Sequence, residues 1–275
     1  MATKKIAVRR KAAKAKPSAA LRQVIRDLMI ANRILGNEQV VDAFGHVSVR
    51  HPERPDRYLL ACSRSPILVT EDDIMEFDLD SNPIDQRGRA MYHERFIHGT
   101  ILKARSDLMS ACHNHAHSLI PFSVTGTPIR SVGVPTASIG SEVPIWDIRD
   151  HFADDGELMV TNNEVGRSLQ QALGNRNACL MRGHGVVVAT DDLRATVLTS
   201  IALMVNAELL MNSHLLTLAT GRGKIKYMTD KEVEKQVTTL KHPVGRNRSW
   251  EYFARRAGFK TDVNQKTPAN VPLAK

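Results

Sequence analysis

At 275 residues with 42% apolar side chains, the chain can bury a sizeable core, which excludes disorder of the whole and fits one large domain. A formal charge of +9 invites a polyanion partner, but Lys4, Lys5, Arg9, Arg10, Lys11, Lys14 and Lys16 supply seven positives from an acid-free segment, leaving only +2 elsewhere. Residues 1–17 therefore read as a basic, solvated, disordered arm, and because no aromatic interleaves with its charges nucleic-acid binding is not expected.

The arm has no apolar h-region, and a run of about 18 apolar residues is found nowhere, so neither secretion nor a membrane span is expected and the reading is cytoplasmic. Its Arg- and Ala-rich, acid-free composition is also that of an organellar transit peptide. Cys62, Cys112 and Cys179 are odd in number and widely spaced in apolar stretches, which predicts buried free thiols in a reducing compartment.

In chain order, Ser18 can cap a helix with Leu21, Val24, Ile25, Leu28, Met29 and Leu35 at helical spacing, closed by Gly36. VSVR and RYLLAC, separated by the turn-forming HPERPDR, predict a hairpin, and DIMEFDLDSNPID a strand leading into a turn. His93 to Ala104 has helical spacing at Phe96, Ile97 and Ile101. LMSACHNHAH reads as a strand and TGTPIRSVGVPTASIG as irregular chain. A helix over Glu164 to Leu173, ended by Gly174, precedes the apolar strand ACLMRGHGVVVA. Asp191 can cap a long helix, DLRATVLTSIALMVNAELLMNSHLLTLA, whose several apolar faces predict burial in a thick core or an oligomer. NRSWEYFARRAG, with Trp250 and Tyr252, is a candidate subunit contact, and 261–275 reads as a loose tail. Strands alternating with helices predict an α/β layered domain over 18–260.

One constellation carries chemistry. Residues two apart on a strand share a face, so His113, His115 and His117 would point together, and two such imidazoles can bind one metal. His184, between Gly183 and Gly185 at a strand end, is a natural third ligand. Three neutral imidazoles, with or without a carboxylate, suit Zn²⁺ or another first-row dication and leave coordination positions open, the catalytic pattern. Two other HxH families fail at named positions. Cupins want a Glu near Leu119, Ile120 and Pro121, and HxHxDH hydrolases want Asp and His where His117 and Ser118 stand.

GHVSVR, a Glu placed 19 residues before HNH, and RGHG some 70 residues after it are together specific, and over about Leu21 to Gly258 the sequence resembles the class II aldolase/adducin family. The resemblance implies a three-layer α/β/α domain with a central, mostly antiparallel sheet. It further implies one divalent metal per subunit, Zn²⁺ first with Mn²⁺, Mg²⁺, Co²⁺ or Fe²⁺ as alternatives. The ligands would be His113, His115 and His184, with Glu94 as ligand or acid/base, in a homotetramer with sites at subunit interfaces.

Sugar-phosphate members of that family hold phosphate with an Asn in GNxS, a Thr-Gly pair and two Ser before the Glu. Here His46, Arg64-Ser65 and Tyr92-His93 take those places, so the phosphate cradle is missing. Aromatic faces, imidazoles and one guanidinium favour a small, planar, anionic substrate bound through an Arg–carboxylate pair. Against this stand plainer roles: Tyr92 packing, Arg64 pairing with a surface acid, His46 as a turn histidine, and His98 as structural. DAFGHVSVRHP, ERFIHG, IPFSVTGTPI and RGHGVVVAT resemble a branch associated with decarboxylases of aromatic catabolism, acting on dihydroxyphthalate-type acids or carboxylated ring-cleavage products.

The expected reaction is decarboxylation through a metal-stabilised enolate, with the dication as Lewis acid. Glu94 or His117 would return a proton to carbon, unless His117 orients a ligand. Tyr92 or His93 would hydrogen-bond the enolate oxygen, and Arg64 would hold a retained carboxylate. The competing readings are an aldolase or epimerase acting on a sugar phosphate or sugar acid, and an adducin-like binding module, which would lack the histidines.

Overall fold

The computed structural model describes residues 16–153 and 156–261. Most of the basic arm and the tail from 262 onward lie outside the described residues. Helix α1 (Ala19–Asn37) starts where Ser18 accepts the Leu21 N–H, the expected N-cap, and runs one residue past Gly36. Strands β1 (His46–Arg50) and β2 (Arg57–Ala61) form the expected antiparallel hairpin, and β3 (Ile74–Asp78) adds to its outer edge.

β4 (Ser110–Asn114), β5 (Ile145–Trp146), β6 (Ala178–Met181) and β7 (Gly185–Thr190) complete a seven-stranded sheet in the order β3-β2-β1-β4-β7-β6-β5. Among the described residues only β5 and β6 pair in parallel, so the sheet is mostly antiparallel, as expected. Helices α2 (Phe96–Ala104) and α4 (Asn163–Leu173) lay Ile97, Ile101, Leu169 and Leu173 on one face, against Leu60, Ala111, Val187 and Ala189.

The other face carries α1, α5 (Leu193–Thr220) and α7 (Pro243–Arg256), which pack Leu28, Ile34, Val197 and Trp250 against Val47, Val49 and Cys112. Each fully buried Leu or Ile contributes about 1.5–3 kcal/mol, so two such layers hold the sheet rigid from both sides. A short α3 (Ile120–Thr125) follows β4, and α6 (Asp230–Leu240) lies between α5 and α7 in the chain. Cys62, Cys112 and Cys179 are all free thiols, the last two buried.

Several expected boundaries shift for local reasons. The single strand ACLMRGHGVVVA is two, β6 and β7, paired antiparallel around a turn in which Gly183 has φ +66° and the His184 N–H donates to the Met181 carbonyl. β4 stops at Asn114, so His115 lies just past the strand and His117 begins a 3₁₀ turn. The helix expected from His93 starts at Phe96, after a 3₁₀ turn in which Glu94 has non-helical torsions. Asp192, not Asp191, caps α5, accepting the Ala195 N–H. Trp250 is a core residue rather than a subunit contact, while its neighbour Tyr252 is exposed.

By length and composition α5 could cross a bilayer, having 28 residues and a mean hydropathy of 1.4 in its most apolar window. It holds no uninterrupted apolar run of about 18 residues, since Thr199, Ser200, Asn206, Glu208 and Asn212 break it. The packing explains the composition: between Leu193 and Leu210 eleven of its residues are buried in this core.

Candidate metal centre

The antiparallel register sets the site. His46 on β1 lies directly opposite His113 on β4, so both side chains leave the same face of the sheet, the one covered by α2. His113 Nδ1 lies 3.1 Å from the Val186 carbonyl, and His184 Nδ1 lies 2.9 Å from the Leu158 carbonyl. A carbonyl only accepts, so each ring carries a proton on Nδ1 and turns Nε2 inward, where its lone pair can meet a cation or, when protonated, donate to a carboxylate.

There the three imidazoles meet. His115 Nε2 is 3.0 Å from His113 Nε2 and 3.1 Å from His184 Nε2. Glu94 Oε2 stands 3.3 Å from both His113 Nε2 and His184 Nε2, while its Oε1 accepts the Val160 N–H at 2.9 Å. One donor atom from each of these four residues falls within 4.8 Å of every other. Tetrahedral ligands on bonds of about 2.0–2.2 Å sit about 3.3–3.6 Å apart, so this donor set fits one small dication. Without a cation, converging lone pairs would repel.

The charges are arranged accordingly. Burial alone raises the Glu94 carboxyl, but attraction and hydrogen bonding from His113 and His184 override it and hold the group well below the usual carboxylate range. Burial, then the neighbouring His113 and His184, lowers His115 to about 4, so it stays a neutral imidazole with a lone pair to offer. At His184 burial pulls down, yet the bond to Glu94 prevails and raises it.

Around this cluster the other anticipated residues divide. His46 and Tyr92 belong beside it: the His46 ring lies 5.3 Å from His113 and 4.5 Å from Tyr92, centroid to centroid. The Tyr92 hydroxyl donates to the Arg64 carbonyl, and burial lifts it to about 12. The Arg64 guanidinium, by contrast, is 44% exposed and pairs with Asp73 at 3.1 Å, the surface-acid role. His93 and His117 are exposed and Ser65 half-buried, and among the described residues none bonds to the four donors. The shared strand face expected for His117 is lost because β4 has already ended.

His98, anticipated as structural, is buried with its Nε2 2.6 Å from His46 Nδ1. Its place one turn after Glu94 was the only signal for it. The carbonyls of Val186 and Leu158 and the Val160 N–H, which orient the donors, are backbone groups with no signature in sequence. A cavity of about 550 Å³ lined by Leu108, Thr190, Leu198, Leu240 and Phe253 lies elsewhere and includes none of the four donors.

Residues 26–211 match the family described as Class II Aldolase and Adducin N-terminal domain. Decarboxylase tropJ of Talaromyces stipitatus is 27% identical over 248 residues, covering 84% of this chain and 92% of that protein. A 3,4-dihydroxyphthalate decarboxylase of Arthrobacter keyseri is 27% identical over 190 residues, 64% of this chain and 72% of the relative. Among solved structures, an L-fuculose 1-phosphate aldolase superposes with a TM-score of 0.67 at 17% identity, covering 82% of this chain and 98% of its own. An aldolase II superfamily protein from Pseudomonas syringae reaches a TM-score of 0.71 at 18% identity, with 88% and 94% coverage.

Proposed function

The chain belongs to the class II aldolase and adducin family, and from that premise we propose that it is a metal-dependent decarboxylase of a hydroxylated aromatic acid or carboxylated ring-cleavage product. The coarser statement, an enzyme of decarboxylase or aldolase type, rests on the family and on its decarboxylase-named relatives. One observation carries the finer one. Where sugar-phosphate members keep small donors for phosphate, this site has the buried His46 ring against Tyr92, and the nearby guanidinium of Arg64 is engaged by Asp73.

His113, His115 and His184 would hold the dication, with Glu94 as fourth ligand or acid/base. Such an ion supplies Lewis-acid stabilisation, worth several kcal/mol, to negative charge developing on a substrate oxygen. The residues do the rest. Carbon dioxide departs leaving an electron pair on carbon, and a proton must return there. Glu94 is suited to carry it, because the Val160 N–H fixes Oε1 and leaves Oε2 facing the reacting space. His117, exposed beyond the strand, is not. Tyr92 and His46 wall the substrate side and exclude water.

We also infer a homotetramer in the cytoplasm, supported by exposed leucines late in α5 and by three unpaired thiols. Carbon dioxide release from 3,4-dihydroxyphthalate by zinc-loaded protein, beside retro-aldol cleavage of L-fuculose 1-phosphate, tests the function. Release from the aromatic acid alone is expected, and His113→Ala should lose metal and turnover together. Sugar-phosphate cleavage without carbon dioxide release, or full activity of metal-free His113→Ala, would overturn the reading.

A further inference from the structure

We propose that His98 is a positioning residue that fixes the tautomer of His46, so that His46 Nε2 presents a lone pair and accepts a hydrogen bond from a substrate hydroxyl. This rests on the reading of the substrate as a hydroxylated acid and names the group that recognises its hydroxyl. His46 Nδ1 and His98 Nε2 are 2.6 Å apart, a separation that requires one proton between them. Which ring owns it is decided on the far side of His98.

His98 Nδ1 is sealed from solvent with no partner at full hydrogen-bond geometry, and the acceptor that bears on this ring is the Ala111 carbonyl. A carbonyl has no proton to give. A proton on Nδ1 turns a lone-pair repulsion into an attraction, so the neutral ring keeps Nε2 bare. His46 must then donate from Nδ1, and a neutral His46 is left with an unprotonated Nε2.

That nitrogen makes no hydrogen bond among the described residues, although His46 is only 4% exposed, and unlike His98 Nδ1 it is not sealed. The ring lies between Tyr92 and His113, beside the donor cluster. A bare nitrogen there repels a phosphate or carboxylate oxygen and favours an O–H. The same position in a sugar-phosphate site, held by an amide, can donate instead.

¹⁵N spectra of histidine-labelled, zinc-loaded protein read this directly. Expected are a pyridine-type Nε2 and a pyrrole-type Nδ1 at His46, with nitrogen–nitrogen coupling from His46 Nδ1 to His98 Nε2. A proton on His46 Nε2 would overturn the proposal. In His98→Phe, or His98→Leu should the first not fold, affinity for 3,4-dihydroxybenzoate should fall about tenfold more than affinity for benzoate, the size of one hydrogen bond. Equal losses for both ligands would leave His98 a packing residue and equally overturn it. Failure of the decarboxylase reading would show separately, as absent carbon dioxide release with the His46 tautomer intact.

Discussion

In the proposed site, Glu94 is the side chain on which metal binding and proton transfer would most directly converge. Its two oxygens are not equivalent: Oε1 is tied to the Val160 N–H and Oε2 faces His113 and His184. Glu94→Gln keeps the shape and removes the charge and the exchangeable proton. At saturating metal, kcat should fall about 10²–10⁴-fold, the usual contribution of a positioned acid or base, with a smaller change in KM. Steady-state kinetics alongside metal analysis check this, and an unchanged kcat in metal-replete protein would confine Glu94 to a structural role. The four donors were legible in sequence because their spacing survives any detail of the loops between them. Arg64 was not, since its partner Asp73 reaches it only through the fold of the 63–73 loop. Nor was the loss of His117, which depends on β4 ending at Asn114, three residues before it.

Among the elements, the β6–β7 hairpin determines whether His184 and His115 meet. Two glycines flank the His184 ring for different reasons. Gly183 takes the positive φ that the turn demands. Gly185 lies so close to β4 that an added Cβ would stand 2.3 Å from the Asn114 carbonyl oxygen and 2.9 Å from His115 Cδ2. Gly185→Ala must therefore push the two strands apart beside the clustered imidazoles. We expect a destabilisation of about 1–3 kcal/mol in urea unfolding, as for overpacked interiors, together with a loss of zinc affinity. Native stability and affinity in that variant would mean that the strands can part there without cost. RGHG was read from sequence as a ligand motif at a strand end. Its identity as a hairpin turn was hidden because apolar residues continue on both sides of it. With both sheet faces covered by helices, β6 and β7 are buried throughout, and the alternation that would separate two strands is absent.

Across the whole molecule, the lowered pKa values of His46, His98 and His115 set its response to acid. Burial holds His98 down to about 3 and His115 to about 4, and lowers His46 well below its ordinary value. In the unfolded chain each titrates near about 6.5. Stability present above about 6.5 is thus lost as pH falls toward the folded values, by on the order of 1 kcal/mol per ring per pH unit. His184 has the opposite sign, being raised. Its contribution is complete below about 6.5 and fades only as pH climbs through its folded value. For EDTA-treated protein, the urea midpoint should fall steadily from about pH 6.5 to 4.5. A flat profile would show these rings protonated within the fold.

The same scale brings out the end of α5. Helices α1 and α7 cover the helix only along its first half, and beyond Leu210 it leaves Leu215, Leu216 and Leu218 at 55%, 65% and 81% exposure, near the exposed Leu209 and Met211. An apolar surface of this kind on a free chain exposes what burial would stabilise at about 25 cal/mol per Å². Association of several chains would remove that cost, and would account for an apolar composition that the core of one chain uses only in part. Sedimentation velocity should therefore return a multiple of 30.5 kDa. Leu215→Glu with Leu218→Glu should lower that mass, because burying two carboxylates in an apolar contact costs more than the contact returns. Neither residue touches the donor cluster, so zinc stoichiometry per chain should be unchanged even as the assembly falls apart. A wild-type mass of one chain at micromolar concentration would refute association through this helix.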